Sequence, residues 1–73
     1  MLSKNFWLAI SHSHIGLYSP SKKVKFMEEG YEVIANVQSN PNAIKFEIRA
    51  STLKLRTNQS YMIHSLIRQY QSL

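Results

Sequence analysis

Basic side chains alternate with apolar ones in residues 44–56, which read IKFEIRASTLKLR. Glu47 is the only acidic residue from position 44 to the end of the chain. Neighbouring strands of a sheet lie about 4.8 Å apart, so outward-facing cations on adjacent strands gather together. A basic patch of this kind attracts polyanions or acidic protein surfaces, and a solvated face without a ligand is the alternative. The expected patch consists of Lys45, Arg49, Lys54 and Arg56.

The alternation changes parity within this segment. Ile48 lies at an even position, whereas Leu53 and Leu55 lie at odd positions. Side chains repeat every two residues along a strand, so residues 50–52 must reset the register through a turn or a bulge. We favour a tight turn that begins a new strand, because connections of two to five residues are common between strands.

The rest of the chain predicts the elements that carry these side chains. Apolar runs and alternation predict strands over residues 5–11, 22–28, 31–38, 43–50 and 52–56, with turns at Gly30 and at residues 39–42. Residues 11–23 read as a loop with room for a short strand at residues 14–18. A helical stripe follows, with Thr57 or Asn58 as its cap; its members are Met62, Ile63, Leu66, Ile67 and Tyr70.

The predicted fold is therefore mainly β with a C-terminal α-helix, in the order β-β-β-β-β-α, as a small antiparallel sheet or barrel. With 73 residues we expect a single domain, residues 1–73. The chain has no cysteine, so no disulfide can support this small core. Oligomerisation is the remaining common way to enlarge such a core, and we expect a homodimer or a complex with another protein.

The second half of the chain resembles the carbon storage regulator (CsrA/RsmA) family over residues 31–70. The family's fourth strand reads approximately N-x-V-R-I-G-V-x-A-P, and residues 42–51 read NAIKFEIRAS. Its fifth strand and helix read approximately V-x-V-H-R-x-E-I-Y-x-x-I. This chain has LKLRT at residues 53–57, YMI at residues 61–63 and LI at residues 66–67. The first-strand motif R-R-x-G-E is missing from AISHSHIG, and Ser51 replaces the proline.

The resemblance implies a small bacterial RNA-binding protein that forms an interlocked dimer. In that family, arginines of the first strand and the last arginine of the fifth strand form the RNA-contacting edge. Only Arg56, with Lys54 beside it, corresponds to that edge here. The family acts by occlusion at the ribosome-binding region of messengers, so the resemblance implies regulation without chemistry.

Other residue types in the chain could also bear function. Trp7, Tyr18 and His14 could offer stacking surfaces for unpaired bases, although ordinary core aromatics are the alternative, favoured for Trp7. His12 and His14 share a face in an extended chain, but they lack a third ligand for a metal. No nucleophile or acid–base motif is present, so we expect no catalytic residue, no cofactor and no metal, and a protein that is not an enzyme.

We therefore expect a small non-enzymatic cytoplasmic regulator that binds RNA, or less readily DNA, through a basic sheet edge. The residues expected to contact the nucleic acid are Lys54 and Arg56 first, and Lys45 and Arg49 next. The alternative is a phage- or plasmid-encoded protein that binds and inhibits a host protein through an acidic surface of that host. We expect no membrane partner, because the apolar run FWLAI is too short to span a bilayer.

Overall fold

The computed structural model describes residues 5–72, which form two antiparallel sheets of three strands each and one C-terminal helix. The predicted fold class is thereby confirmed, with six strands where the sequence indicated five and a possible short one. A 3-10 helix over Tyr31–Val33 precedes the fourth strand. The elements are β1 (Trp7–Ile10), β2 (His14–Tyr18), β3 (Lys25–Gly30), β4 (Ile34–Asn40), β5 (Ala43–Ile48), β6 (Ser51–Arg56) and α1 (Ser60–Gln71).

The chain divides into two compact units, the first ending at Gly30 and the second beginning at Tyr31. The first unit contains β1, β2 and β3, with β2 in the middle of its sheet. The second contains β4, β5, β6 and α1, with β5 in the middle.

In the first unit, the expected loop over residues 11–23 contains a full strand. Residues 14–18, HIGLY, form the central strand β2, in which Ile15 is fully buried and Leu17 is 7% exposed. A tight turn joins β1 to β2, where the Ser11 amide donates to the His14 carbonyl over 2.9 Å. The serines that suggested a loop serve the turns on either side, while the alternating Ile15 and Leu17 supply the buried face.

The predicted turn at Gly30 is wrong in its position. Strand β3 continues through Glu28 and Glu29 to Gly30, which pairs with His14. Alternation over residues 22–28 would place Val24 and Phe26 on one face, but both side chains are about half exposed. The register shifts near Tyr18, so the simple alternation of this strand does not hold at its start.

The second unit is a meander of three strands with α1 packed on its inner face. Ile44 and Phe46 of β5 are fully buried, as is Ile67 of α1. Ile63 lies one turn before Ile67 and is 6% exposed, so the two form the docking stripe of the helix. This short helix is stabilised by that packing, because a helix of its length is marginal alone.

Strand β4 differs from its predicted phase. Simple alternation over residues 31–38 places Ala35 on one face with Val33 and Val37, but Ala35 is exposed and Ile34 is 5% exposed. Asn36 adopts a left-handed φ of 54°, and the pairing with β5 shifts between Ala35 and Gln38. A bulge inserts an extra residue and reverses the parity beyond it, which single-strand alternation could not reveal.

The start of α1 also differs from its prediction. Gln59 is the N-cap residue, and its side chain makes no capping hydrogen bond. Thr57 Oγ1 instead accepts a bond from the Gln59 amide over 3.0 Å, one step before the helix. Ser60, the first helical residue, is 1% exposed and donates its hydroxyl to the Asn40 carbonyl, which ties the helix start to the end of β4.

None of the helices in residues 5–72 has the length and apolar character needed to cross a membrane.

Candidate nucleic-acid interface

The turn between β5 and β6 causes the change of parity in residues 44–56. Ile48 pairs with Ser51, so Arg49 and Ala50 alone connect the two strands. Arg49 has a φ of 56°, a left-handed conformation that a two-residue hairpin connection requires. The turn is confirmed and the bulge is excluded at this point, because the register of β5 and β6 is continuous from end to end.

Three of the four predicted cations lie on one exposed face of this hairpin. Lys45 of β5 stands directly opposite Lys54 of β6. Arg56 lies two residues beyond Lys54 and therefore points to the same side of the sheet. All three side chains are exposed, on the face opposite the one that carries Ile44 and Phe46. We call Lys45, Lys54 and Arg56 the basic strip.

Arg49 does not join the basic strip, so the prediction of one patch of four cations is wrong for this residue. Arg56 pairs with Ala43 at one end of the hairpin, whereas Arg49 occupies the turn at the other end. The Arg49 amide donates to the Val33 carbonyl over 3.1 Å, which holds the turn against the start of β4. The apolar–charged alternation of residues 44–49 ends at Arg49 because β5 ends at Ile48 and Arg49 belongs to the turn.

Polar side chains surround the basic strip on the same face. Gln38 of β4 pairs with Lys45, and Asn40 pairs with Ala43. Two shallow depressions of about 210 and 140 Å³ lie on this face, and Gln38 and Lys45 line both. Amide groups beside cations can bond to base edges while the cations contact phosphates. Strand alternation alone could not identify these amides, because the bulge in β4 decides which of them face outward.

Glu47 is the acidic residue on this face, and its carboxylate accepts a hydrogen bond from a side-chain amide. The Asn36 side chain donates from Nδ2 to Glu47 Oε2. Within residues 5–72 the salt bridge present joins Lys25 and Glu28, in the first unit. The basic strip therefore keeps its charge, and the facing pair Lys45 and Lys54 carries a like-charge repulsion that a sheet normally avoids.

The aromatic candidates lie in the first unit. Trp7 pairs directly with Tyr18, so these two predicted stacking residues are neighbours. His14 lies at the other end of β2, opposite Gly30, and is not part of this group. Trp7 is 50% exposed, which excludes the core position favoured for it from sequence.

A serine–histidine contact in the second unit was not anticipated. Ser39 Oγ lies 2.6 Å from His64 Nδ1, and His64 Nε2 is enclosed without a hydrogen-bond partner in the described part of the chain. A catalytic triad presents Nε2 to its serine and holds Nδ1 with a carboxylate. Here the serine lies at Nδ1, so the contact differs from that arrangement, and it links β4 to α1.

No group of three or more potential metal ligands occurs among residues 5–72. His12 is exposed in the turn between β1 and β2, and His14 bonds through Nδ1 to the Ser13 hydroxyl over 2.8 Å.

No family model matches this chain, and no curated protein matches it. Function is therefore inferred from the residues and their geometry.

Proposed function

We propose that this protein binds RNA through the basic strip of its second unit and acts as a regulator by occlusion, without catalysing a reaction. The observation that carries the proposal is the exposed row of Lys45, Lys54 and Arg56, which no carboxylate within residues 5–72 neutralises by a salt bridge. Phosphate contacts by such cations supply affinity for nucleic acid.

RNA is preferred to DNA because of the flat polar surroundings of the strip. A sheet face does not enter the major groove of a duplex as a helix does, but it can support unpaired nucleotides. Gln38 and Asn40 provide donors and acceptors beside the cations. Unpaired bases can present their hydrogen-bonding edges to such groups. The base edges of duplex DNA lie inside its grooves, where a flat sheet face does not reach them.

The resemblance to the carbon storage regulator family supports the same proposal. Its most basic matching segment, residues 53–57, falls on β6 and the residue after it, and α1 begins three residues later at Ser60. Lys54 and Arg56 therefore stand on a final strand followed by a helix, the order that the family has. By the same resemblance, the proposed target is the ribosome-binding region of a messenger, and the proposed compartment is the cytoplasm.

The test is a salt titration of RNA binding. A fluorescently labelled pool of random single-stranded RNA is titrated with the protein at several salt concentrations, and anisotropy gives the affinity. Three phosphate contacts predict a slope of log K against log salt of about −2. The variant Lys54→Ala/Arg56→Ala should lower the affinity and reduce the slope by about 1.4, the contribution of two contacts to a single strand.

Arg68→Ala is the matched control, because Arg68 is an exposed cation on α1 and lies outside the strip. It removes a positive charge but should leave the slope nearly unchanged. Affinity that is already negligible at low salt would overturn the RNA proposal and leave the host-protein alternative. Equal losses for Arg68→Ala and the strip variants would show that net charge alone governs binding.

We also propose that the protein is a homodimer. Tyr61 and Met62 at the start of α1 are 57% and 52% exposed, and such large apolar side chains favour contact with a second copy. Light scattering after size-exclusion chromatography should give a mass of twice 8.5 kDa. A single-chain mass at micromolar concentration, with and without RNA, would contradict the homodimer.

A further inference from the structure

One end of the first sheet exposes a cluster of aromatic rings among lysines. Trp7, Tyr18 and Lys25 form a row across β1, β2 and β3, and the loop of residues 19–24 closes this end. Phe6 and Phe26 are the chain neighbours of Trp7 and Lys25, and their rings contact each other with centroids 5.5 Å apart. We call this group the aromatic end; it comprises Phe6, Trp7, Tyr18, Phe26, Lys22, Lys23 and Lys25.

The rings of the aromatic end are open to solvent. Phe6, Trp7 and Phe26 are 43%, 50% and 54% exposed. Phe6 and Phe26 meet edge to face, at 80° between their planes. In this arrangement one ring contributes only its edge, so both of its flat faces remain free of the other ring. Exposing three large aromatic side chains together costs solvation free energy that a binding surface can recover.

The lysines are held close to these rings. Lys22 Nζ lies over one face of the Trp7 ring, 3.9 Å from its centroid, so a stacked base would use the other face. The loop that carries Lys22 is closed by two backbone bonds of 2.8 Å, from the Ser19 amide to the Val24 carbonyl and from the Lys22 amide to the Ser19 carbonyl. Lys23 is exposed, and its side chain has no partner among the residues described.

Tyr18 is fixed over the sheet by a glycine. A Cβ at Gly16 would lie 2.8 Å from Tyr18 Cε1, so the ring rests on the space that a side chain would occupy. The Tyr18 hydroxyl donates to Glu28 Oε2 over 3.4 Å, and Glu28 also pairs with Lys25. Glu28 is thus engaged by Tyr18 and Lys25, while Lys22 and Lys23 form no salt bridge among residues 5–72.

From this combination we infer that the aromatic end is a second nucleic-acid site, which stacks unpaired bases of single-stranded RNA on Trp7 while the lysines contact phosphates. Rings with cations between them suit a strand that carries a flat base and a negative charge in each nucleotide. An acidic protein surface would use the lysines but not the open ring faces. The inference deepens the proposed function and rests on it, since it names the class of RNA that is bound.

Trp7 reports on its own role, because it is the only tryptophan in the sequence. Its fluorescence is followed while the protein is titrated with a single-stranded 12-nucleotide RNA, with the same sequence as a duplex, and with inorganic polyphosphate. The single strand should quench Trp7, because a stacked base contacts the ring. The duplex and polyphosphate should bind by charge with little quenching, since neither offers a free base.

Substitutions then measure the contribution of the ring, with anisotropy of labelled RNA as the readout. Trp7→Ala should weaken binding of the single strand by roughly 5- to 150-fold, the range that loss of one stacked base gives. Trp7→Phe keeps an aromatic ring and should retain most of the affinity. Circular dichroism of both variants checks that the sheet is intact, and the wild-type quenching stands even if Trp7→Ala fails to fold.

The outcomes separate this inference from the proposed function. Binding that depends on Lys54 and Arg56, with no quenching of Trp7 and no loss in Trp7→Ala, would overturn the second site and keep the first. Equal quenching by polyphosphate and by RNA would also overturn stacking. Absence of RNA binding by the wild-type protein at low salt would overturn both. A blue shift of Trp7 with anionic lipid vesicles, without RNA quenching, would assign the aromatic end to a membrane surface.

Discussion

The two sheets of this protein share one topology, three antiparallel strands in chain order, but they expose different kinds of surface. In the second unit, apolar side chains of β5 lie under α1, and the solvent face carries cations and amides. In the first unit, Ile15 and Leu17 are buried, but the end of the sheet leaves Trp7 and Phe26 half exposed. The second sheet thus separates apolar from charged residues by face, whereas the first mixes aromatic rings and lysines at one end.

If the proposed RNA binding holds, this difference predicts different modes of contact with the strand in the two units. A row of cations without rings attracts phosphates and gives a steep salt dependence with little preference for base type. Rings among cations add stacking, which depends less on salt and requires unpaired bases. The two regions should therefore respond differently to salt, to duplex formation and to substitution.

The largest expected effect contrasts a buried ring with an exposed one. Phe46 of β5 is fully buried, so Phe46→Ala should reduce the free energy of unfolding by about 3–5 kcal/mol. Phe26 is half exposed and contacts Phe6 by its ring, so Phe26→Ala should cost about 1 kcal/mol or less. Urea unfolding followed by circular dichroism measures both.

Similar losses for Phe46→Ala and Phe26→Ala would contradict the contrast. Such a result would mean that the aromatic end is a packing core, and its rings would then be unavailable for bases.

The next effect is a pH dependence of stability that belongs to the second unit. Tyr31 is 5% exposed, and burial raises its pKa from 10.0 to about 12, with a further contribution from the charge of Tyr70. Above pH 10 the unfolded chain loses this proton while the folded chain keeps it, so the stability gained from Tyr31 is lost as pH rises from 10 to 12. The loss is at most about 1.4 kcal/mol per pH unit.

Tyr31→Phe removes this titration and serves as the control for all other groups. Urea midpoints between pH 9 and 12 should therefore fall less steeply in Tyr31→Phe than in the wild-type protein. Parallel curves for the two proteins would show that the Tyr31 hydroxyl is not held neutral by burial.

The smallest effect concerns the like-charge pair of the basic strip. Lys45→Glu places opposite charges across β5 and β6 and should stabilise the fold by about 0.2–1 kcal/mol at low salt, because facing like charges are unfavourable. The same change should weaken RNA binding. Lys45→Gln should fall between the wild-type protein and Lys45→Glu, both in stability and in RNA affinity.

If Lys45→Glu raises the stability and lowers the RNA affinity, the repulsion between Lys45 and Lys54 is a cost of folding that ligand binding offsets. A gain in stability that persists at high salt would not be electrostatic, and it would contradict this explanation.

The sequence was most informative where a strand is regular. Alternation alone identified the inner face of β5, and the change of parity located the turn that begins β6. Helical spacing identified Ile63 and Ile67 of α1, although Met62 of the same stripe is half exposed. In these elements local periodicity and burial agree, so the pattern could be interpreted without tertiary information.

The errors fall where tertiary contacts override local signals. The bulge at Asn36 reverses the phase of β4, and nothing near Asn36 in the sequence requires it. Serines and a glycine made residues 11–23 look like a loop, but Gly16 is needed because the Tyr18 ring lies over it. Trp7 was assigned to a core by its residue type alone, whereas the structure places it at the start of β1, where it is half exposed.

Assignment of the RNA contact surface by nuclear magnetic resonance tests the central claim most directly. Protein labelled with ¹⁵N is titrated with a single-stranded RNA at low salt, and shifts of the amide signals are followed. Binding through the basic strip predicts the largest changes in the second unit at Lys45, Lys54 and Arg56, with little change along the exposed face of α1 around Arg68. Changes confined to α1, or no changes at all at RNA excess, would contradict it.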